Sequence, residues 1–89
     1  MEEAIYKACI ELEILLRERN DEYWYEFLSA VDEYGSIAIT LIIKHKLNKL
    51  EQLLSKKAND TMHKEKMIGT LLDLAGYIVI SKIYLENKK

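Results

Sequence analysis

The sequence predicts an all-α fold, a four-helix bundle-like domain, and three observations lead to that prediction. The 89-residue chain has no proline and only three glycines. Its apolar residues make up 49% of the chain and recur at the three- and four-residue spacings of a helical face. The composition therefore excludes a disordered or disulfide-stapled chain. We expect a single domain over residues 1–89.

The first two helices are predicted from their apolar faces and their end signals. Residues 2–19 carry apolar side chains at i, i+4, i+7 and i+11, namely Ile5, Cys9, Leu12 and Leu16. We expect Cys9, the single cysteine, to be a small buried hydrophobe. Asn20 and Asp21 are stop and cap residues before a second helix over residues 22–34, which ends at Gly35.

Two further helices are predicted on either side of one loop. Ser36 is expected to cap a third helix that runs to about residue 57, with the apolar stripe Ile39, Ile43, Leu47, Leu50 and Leu54. Residues 56–61 form the loop, and Asp60 or Thr61 is available to cap a fourth helix over residues 62–86.

The fourth predicted helix has two apolar stripes where a surface helix needs one. The first stripe consists of Met67, Leu71, Leu74, Ile78 and Leu85, and the second of Ile68, Leu72, Ala75, Val79 and Ile83. Four helices of this size cannot easily bury both stripes within one chain. We therefore expect a homo-oligomer with the fourth helix near the subunit interface.

Charge and hydropathy bear on location and partners. The net charge is −2 and the pI is about 5.7, so the chain lacks the basic surface that duplex nucleic acid requires. No secretory signal is present, and the longest low-charge run, broken by Asp73, is too short for a membrane span. We expect a cytoplasmic protein that binds neither duplex nucleic acid nor membrane.

A third face of the fourth helix carries Gly69, Asp73 and Gly76. Each interior glycine costs a helix about 1 kcal/mol relative to alanine, so both need a reason in packing or binding. Close helix packing around a hydrogen-bonded Asp73 is one reading. A ligand pocket that opens at the glycines and retains the carboxylate for a specific contact is the other. Both readings predict that Asp73 has a partner.

Cationic and aromatic side chains supply the remaining candidates. His45, Lys46 and Lys49 lie on one polar edge of the third helix, which is either a solvated face or an anion site. Tyr23, Trp24 and Tyr25 point in three directions, so at least one should be exposed, either as a stacking platform for a nucleobase or as an oligomer contact. We identify no catalytic residue, metal-ligand set or cofactor motif, and the lone His45 and His63 are expected to be structural.

A resemblance to a known family lies in two segments, NDEYWYEFLSAVDEYGSIAITLIIKHKLNKLEQLL and EKMIGTLLDLAGYIVI. Together they resemble the nucleotide modification associated domain 1 family of small phage and bacterial proteins, which look like all-α MazG-type nucleotide pyrophosphohydrolases. The similarity covers residues 19 to about 80. The matching positions include Asn20, Tyr23, Asp32, Glu33, Gly35, Lys46, Leu50, Glu65, Tyr77 and the run from Thr70 to Ala75.

The departures from the family pattern concern its acidic residues. Tyr25, His45 and Gly69 stand where the family has aspartates, and Gly76 stands where it has asparagine. A MazG-like enzyme binds magnesium through several carboxylates, because this hard cation prefers oxygen ligands. The resemblance therefore implies a site that is less negative and roomier than the family's, suited to an anion rather than to magnesium.

These observations predict a phage-type, non-catalytic protein that sequesters a small nucleotide, with a host antiviral immune signal as the candidate ligand, in pockets at subunit interfaces. The predicted ligand-binding residues are Tyr23, Trp24, Tyr25, His45, Lys46, Lys49, Gly69, Asp73, Gly76 and Tyr77. Two alternatives stay open. One is a magnesium-dependent pyrophosphohydrolase that uses Asp32, Glu33, Glu65 and Asp73; the other is a helical oligomer that binds and inhibits a host protein.

Overall fold

A computed structural model describes residues 1–55 and 61–88 and confirms the all-α class. The elements in chain order are α1 (Glu2–Glu18), α2 (Asn20–Tyr34), a 3-10 turn (Gly35–Ile37), α3 (Ala38–Ser55) and α4 (Thr61–Asn87). No strand occurs in these described ranges. The predicted loop at 56–61 and the predicted cap Asp60 lie outside the described residues, except that Thr61 begins α4.

The junction between α1 and α2 is tighter than predicted. Arg19 alone interrupts the two helices, at φ −113° and ψ 24°. Its N–H donates to the Leu15 carbonyl over 3.0 Å, and its carbonyl accepts from the Tyr23 N–H over 3.1 Å. Asn20 and Asp21 therefore form the first turn of α2 instead of preceding it. Acidic side chains in that turn favour the helix because they face its positive end.

The end of α2 was predicted correctly, whereas the start of α3 was not. Gly35 ends α2 with φ +75°, a conformation that glycine adopts without the clash a Cβ atom would cause. Ser36, the predicted cap, lies inside the 3-10 turn, and its hydroxyl accepts a hydrogen bond from Lys88 Nζ over 3.1 Å. The turn delays α3 to Ala38, whose side chain is buried.

The core is small and largely aromatic. Phe27 is fully buried and meets Tyr84 edge to face, with ring centroids 5.3 Å apart. Tyr23 and Tyr77 are also buried and meet edge to face at 4.9 Å. Such pairs add stabilisation beyond the apolar area they bury. Both α2 and α4 contact all three other helices, and the most extensive packing is between α3 and α4.

Several apolar positions predicted to face the core are exposed. No residue of α1 is buried, and Cys9 is exposed, which corrects the expectation of a buried thiol. Leu47 and Leu54 of the predicted α3 stripe are exposed as well. Both stripes of α4 have exposed members, among them Ile68, Leu71, Ile78, Ile83 and Leu85. Their spacing was read correctly as helical, but their burial does not occur within one chain.

By length and composition, α4 is also long and apolar enough to cross a membrane. It has 27 residues and a mean hydropathy of 1.5 over its most apolar part, of which 28% is buried. This corrects the expectation that the low-charge run is too short, because Asp73 is the only charged residue between Lys66 and Lys82. The core helix of a soluble protein has the same properties, so the cytoplasmic location stays a prediction.

Candidate functional site

Asp73 is held by two donors from two other helices. The Tyr23 hydroxyl of α2 donates to Asp73 Oδ1 over 2.6 Å. Lys46 Nζ of α3 lies 2.8 Å from Asp73 Oδ2. The prediction that Asp73 has a partner is confirmed. Lys46, expected to meet a phosphate, instead neutralises Asp73. The ion pair joins α3 to α4, and the Tyr23 hydrogen bond joins α2 to α4.

A second carboxylate and a second tyrosine extend this arrangement. The Tyr77 hydroxyl donates to Glu26, and Lys46 Nζ lies 5.3 Å from the centroid of the Tyr77 ring. We call these side chains the tyrosine–carboxylate network, and its members are Tyr23, Glu26, Lys46, Asp73 and Tyr77. Among the described residues, no buried side-chain nitrogen or oxygen atom lacks a hydrogen-bond partner. A fully satisfied network of this kind rigidifies the helices that it joins.

The network shifts the pKa values of its members. Burial by itself would raise the pKa of Asp73, but the hydrogen bonds from Lys46 and Tyr23 hold it below its usual value. Burial raises the pKa of both Tyr23 and Tyr77, and their hydrogen bonds to carboxylates raise it further. Asp73 is therefore ionised and both phenols are protonated at neutral pH.

These shifts predict how stability depends on pH. Because the pKa of Asp73 is lowered in the folded state, Asp73 stabilises the fold at pH values above about 4, its pKa in the unfolded chain. This stabilisation is lost as the pH falls through the folded-state pKa. The raised pKa of Tyr23 contributes stability below about pH 10, which is lost as the pH rises. We expect the free energy of unfolding to fall at both extremes. Tyr23→Phe should weaken the alkaline fall, and it should also reduce the acid fall because Asp73 loses a hydrogen bond that lowers its pKa. Urea denaturation across pH measures both, and an unchanged alkaline slope would contradict the prediction.

Two clefts lie on either side of the Lys46–Asp73 ion pair. The first, which we call the cationic cleft, has a volume of about 660 Å³. Its polar lining residues are Arg19, Tyr23, Lys49, Gln52, Lys66, Thr70 and Asp73, with Gly69 in its wall. It unites four of the predicted ligand-binding residues: Tyr23, Lys49, Gly69 and Asp73. Its volume falls in the range of small-molecule sites.

The second cleft, which we call the tyrosine cleft, has a volume of about 450 Å³. It is lined by Glu26, Tyr34, His45, Lys46 and Tyr77, with Ala30, Leu41 and Ile42. It holds three more predicted residues: His45, Lys46 and Tyr77. The cationic cleft is lined by residues from the C-terminal half of α3 and the N-terminal half of α4. The tyrosine cleft is lined by residues from the N-terminal half of α3 and by Tyr77, which lies further along α4. The two helices therefore run in opposite directions, and both clefts follow their seam.

The three consecutive aromatic side chains of α2 differ in burial and in location. Tyr23 is buried, so its ring offers no free face to a base. Trp24 is half-buried and lines a groove between α1 and α4. Tyr25 is 75% exposed and confirms that at least one of the three points to solvent, but it is not among the residues that line these clefts. The expected stacking platform is therefore not assembled from these three side chains within one chain.

The two glycines of α4 have different environments. A Cβ atom at Gly76 would lie 3.3 Å from Tyr23 Cζ and 3.4 Å from Leu16 Cδ2, so Gly76 lets the Tyr23 ring approach α4 closely. A Cβ atom at Gly69 would meet nothing within 4 Å. Close packing thus explains Gly76, which corrects its reading as part of a ligand pocket. Gly69 borders open space in the cationic cleft.

Matched alanine substitutions distinguish these two environments. Gly69→Ala should raise the free energy of unfolding by up to about 1 kcal/mol, the gain in helix propensity, because the new methyl group meets no neighbour. Gly76→Ala should give no such gain, because Tyr23 is fixed by Asp73 and cannot move aside. Urea denaturation measures both. Equal effects at the two positions would disprove the packing role of Gly76.

The acids of the pyrophosphohydrolase alternative do not gather in one place. Asp32, Glu33 and Glu65 are exposed, while Asp73 is paired with Lys46. Within residues 1–55 and 61–88, no group of three or more histidine, cysteine, aspartate or glutamate side chains could hold a metal ion. The magnesium ligands that this alternative needs are thus not brought together within the described part of one chain.

Sequence reasoning missed several residues that line the clefts. Lys66 lies on the α4 face of Gly69 and Asp73, one turn earlier, and extending that face would have found it. Glu26 lies one turn after Tyr23 on α2 in the same way. Arg19 was assigned to a helix end, and no local signal marked its contact with the Tyr23 ring, whose centroid lies 5.5 Å from Arg19 Cζ.

Comparisons of this chain with protein-family models, curated proteins and solved structures found no match. The resemblance to MazG-like proteins therefore stays a prediction that depends on the quoted segments alone.

Proposed function

We propose that this protein binds a small nucleotide and holds it unconverted, with the phosphates in the cationic cleft and the base in the tyrosine cleft. The observation that carries this proposal is the charge of the cationic cleft. Lys49 and Lys66 make no ion pair within the described residues, and the only carboxylate lining the cleft, Asp73, is neutralised by Lys46. Two ammonium groups that lack a carboxylate partner can donate hydrogen bonds to phosphate oxygens.

Arg19 also lines this cleft, but unlike the two lysines it already has a carboxylate partner. Its guanidinium lies 2.8 Å from Glu22 Oε2, and this contact raises its pKa, so the charge is permanent and oriented. Its Nε and Nη2 both donate to this Glu22 oxygen, so its remaining N–H groups are the ones that could donate to a phosphate. The open wall at Gly69 gives an incoming group access to these cations without a side chain in its path.

The tyrosine cleft offers the contacts that a base needs. Tyr34 is exposed and supplies an aromatic face, while Glu26 supplies carboxylate oxygens for an amino or imino group. His45 is a further hydrogen-bonding partner at its edge. Gly69 and Tyr77 are separated by roughly 12 Å along α4, at 1.5 Å per residue. That separation is comparable to the reach of a nucleotide from base to terminal phosphate.

Sequestration in place of catalysis is supported by the scattered acids described above. The resemblance to phage proteins points to a host antiviral signalling nucleotide as the ligand class. The many exposed apolar side chains support the proposal that the pockets are completed in a homo-oligomer, with α4 near the subunit contacts.

Titration calorimetry with a panel of nucleoside mono-, di- and triphosphates and cyclic dinucleotides tests this proposal. We expect at least one member to bind and to be recovered intact after heat denaturation of the protein. Lys49→Met and Lys66→Met should each weaken binding about tenfold, the loss of one charge-assisted contact. Binding should also weaken with added salt.

Matched controls exist on the same helices. Lys44→Met on α3 and Lys64→Met on α4 remove exposed lysines that do not line either cleft, so they should leave affinity unchanged. Absence of binding by every probe would overturn the proposal. Magnesium-dependent conversion of a bound nucleotide would overturn its non-catalytic part and favour the pyrophosphohydrolase.

The exposed apolar surface also favours a second candidate, a helical protein that binds and inhibits a host protein. A stoichiometric host partner recovered with protein whose clefts bind no nucleotide would support this alternative. Nucleotide binding that is unaffected by removal of such a partner would count against it.

A further inference from the structure

A third groove runs between α1 and α4, away from the tyrosine–carboxylate network. It has a volume of about 590 Å³ and an apolar floor. Its apolar lining residues are Cys9, Leu12, Leu16, Trp24, Val79, Ile80 and Ile83. Ile5, Ile10 and Ile14 of α1 are exposed as well. Exposed apolar surface of this extent marks an interaction site.

The accessible surface of the chain shows how much area is left uncovered. The chain exposes 7000 Å² at a mass of 10.5 kDa. A compact monomer of that mass exposes about 5400 Å² by the usual scaling of area with mass. The radius of gyration, 14.5 Å, likewise exceeds the roughly 12 Å expected for this length. The excess of roughly 1600 Å² per chain is about twice the roughly 800 Å² that each partner buries in a stable interface of standard size.

We propose that a second copy of this chain occupies the α1–α4 groove and forms a two-fold dimer through α1. A two-fold axis places the same patch of both copies face to face, so the patch must complement itself. The rim of this groove carries both signs of charge, because Glu13 and Arg17 lie one turn apart on α1. Each can meet its opposite across the axis when the two α1 helices are antiparallel.

The proposal deepens the oligomeric part of the proposed function by naming the surface used. It is independent of the ligand, since neither the cationic cleft nor the tyrosine cleft shares a lining residue with this groove. A monomer that still binds nucleotide would refute both the dimer and the completion of the pockets by a second copy, and would leave nucleotide binding within one chain standing. A dimer that binds no nucleotide would support the dimer and refute the nucleotide-binding proposal.

Two residues in the groove can serve as probes of whether a second copy covers it. Trp24 is the only tryptophan and Cys9 the only cysteine. In the dimer both are covered, so dilution below the dissociation constant should shift the Trp24 emission to longer wavelength. Dilution should also speed the reaction of Cys9 with a maleimide. These measurements use the unaltered protein and do not depend on whether a variant folds.

Sedimentation equilibrium with matched variants completes the test. Ile83→Glu introduces a charge into the groove at a position 39% exposed, and Leu54→Glu makes the same kind of change on α3 at a position 63% exposed. We expect the unaltered protein and Leu54→Glu to sediment at twice 10.5 kDa, and Ile83→Glu to sediment at 10.5 kDa with the helical circular dichroism of a folded chain.

Three results would overturn the proposal. One is an unaltered protein that sediments at 10.5 kDa at every concentration. Another is an Ile83→Glu variant that folds and associates like the unaltered protein. The third is flotation of the unaltered protein with lipid vesicles, abolished by Ile83→Glu, which would assign the groove to a bilayer.

Discussion

Phe27→Ala is expected to lower the free energy of unfolding by about 3–5 kcal/mol, the range for removing a buried aromatic ring. Phe27 is 0% exposed and is the largest fully buried side chain among the described residues. Its ring meets those of Tyr84 and Trp24 edge to face, so truncation leaves a cavity and removes two aromatic contacts. Chains of this length have about 5–13 kcal/mol of stability in total, so the variant should be close to unfolding.

Leu28→Ala is the matched control for this truncation. Leu28 follows Phe27 on α2 but is exposed, so removing its side chain should cost less than about 1 kcal/mol. Guanidinium denaturation followed by circular dichroism measures both variants. Similar losses at the two positions would mean that the aromatic cluster is not the core. If oligomer formation contributes to stability, both variants should be compared at one protein concentration.

The helices could be predicted because a helical face repeats every three to four residues and the apolar side chains follow it. The predicted bounds of the first and last helices lie within one residue of α1 and α4. The start of α2 was wrong by two residues because Arg19 breaks the helix without any side-chain cap. A helix boundary with no capping hydrogen bond leaves no mark in the sequence.

Periodicity could not show what covers an apolar face. Cys9 repeats with its neighbours like a core residue, yet it is exposed because its face of α1 borders the open groove between α1 and α4. A stripe that faces another subunit has the same spacing as one that faces the chain's own core.

The candidate site was predicted in its residue types but not in its pairings. The sequence marked Asp73 as a carboxylate that needs a partner, and it marked Lys46 as a cation on a polar edge. Lys46 and Asp73 meet because α3 and α4 pack in one particular register. That register is set by tertiary packing, which the spacing of residues within each helix does not reveal. The roles of Gly69 and Gly76 differ for a similar reason, since only Gly76 lies under the Tyr23 ring.

Asp73→Asn is the second large effect, with an expected loss of about 2–3 kcal/mol in the free energy of unfolding. Asparagine keeps an oxygen for the Tyr23 hydroxyl but leaves Lys46 without a counter-charge, and the Lys46 side chain is only 19% exposed. Breaking a buried pair by removing one partner costs about 3–5 kcal/mol. The expected value is lower because the Asp73 side chain is 25% exposed and solvent screens the pair.

A double-mutant cycle separates the ion pair from the rest of this loss. Lys46→Met and Asp73→Asn together should cost less than the sum of the single changes, because the double variant leaves no uncompensated charge. We expect a coupling free energy of about 1–2 kcal/mol from urea denaturation. The coupling should shrink as the pH falls below the lowered pKa of Asp73, because protonation of Asp73 then removes the ion pair from the unaltered protein.

The same double-mutant cycle on an exposed ion pair shows whether burial causes the strong coupling between Lys46 and Asp73. Lys82 and Glu86 lie one turn apart on α4, 2.7 Å from each other, with side chains 70% and 58% exposed. Because water already solvates both groups, their coupling should not exceed about 0.5 kcal/mol. Equal couplings in the two cycles would mean that Asp73 is held no more firmly than a surface acid. The network would then not rigidify the helices that line the two clefts.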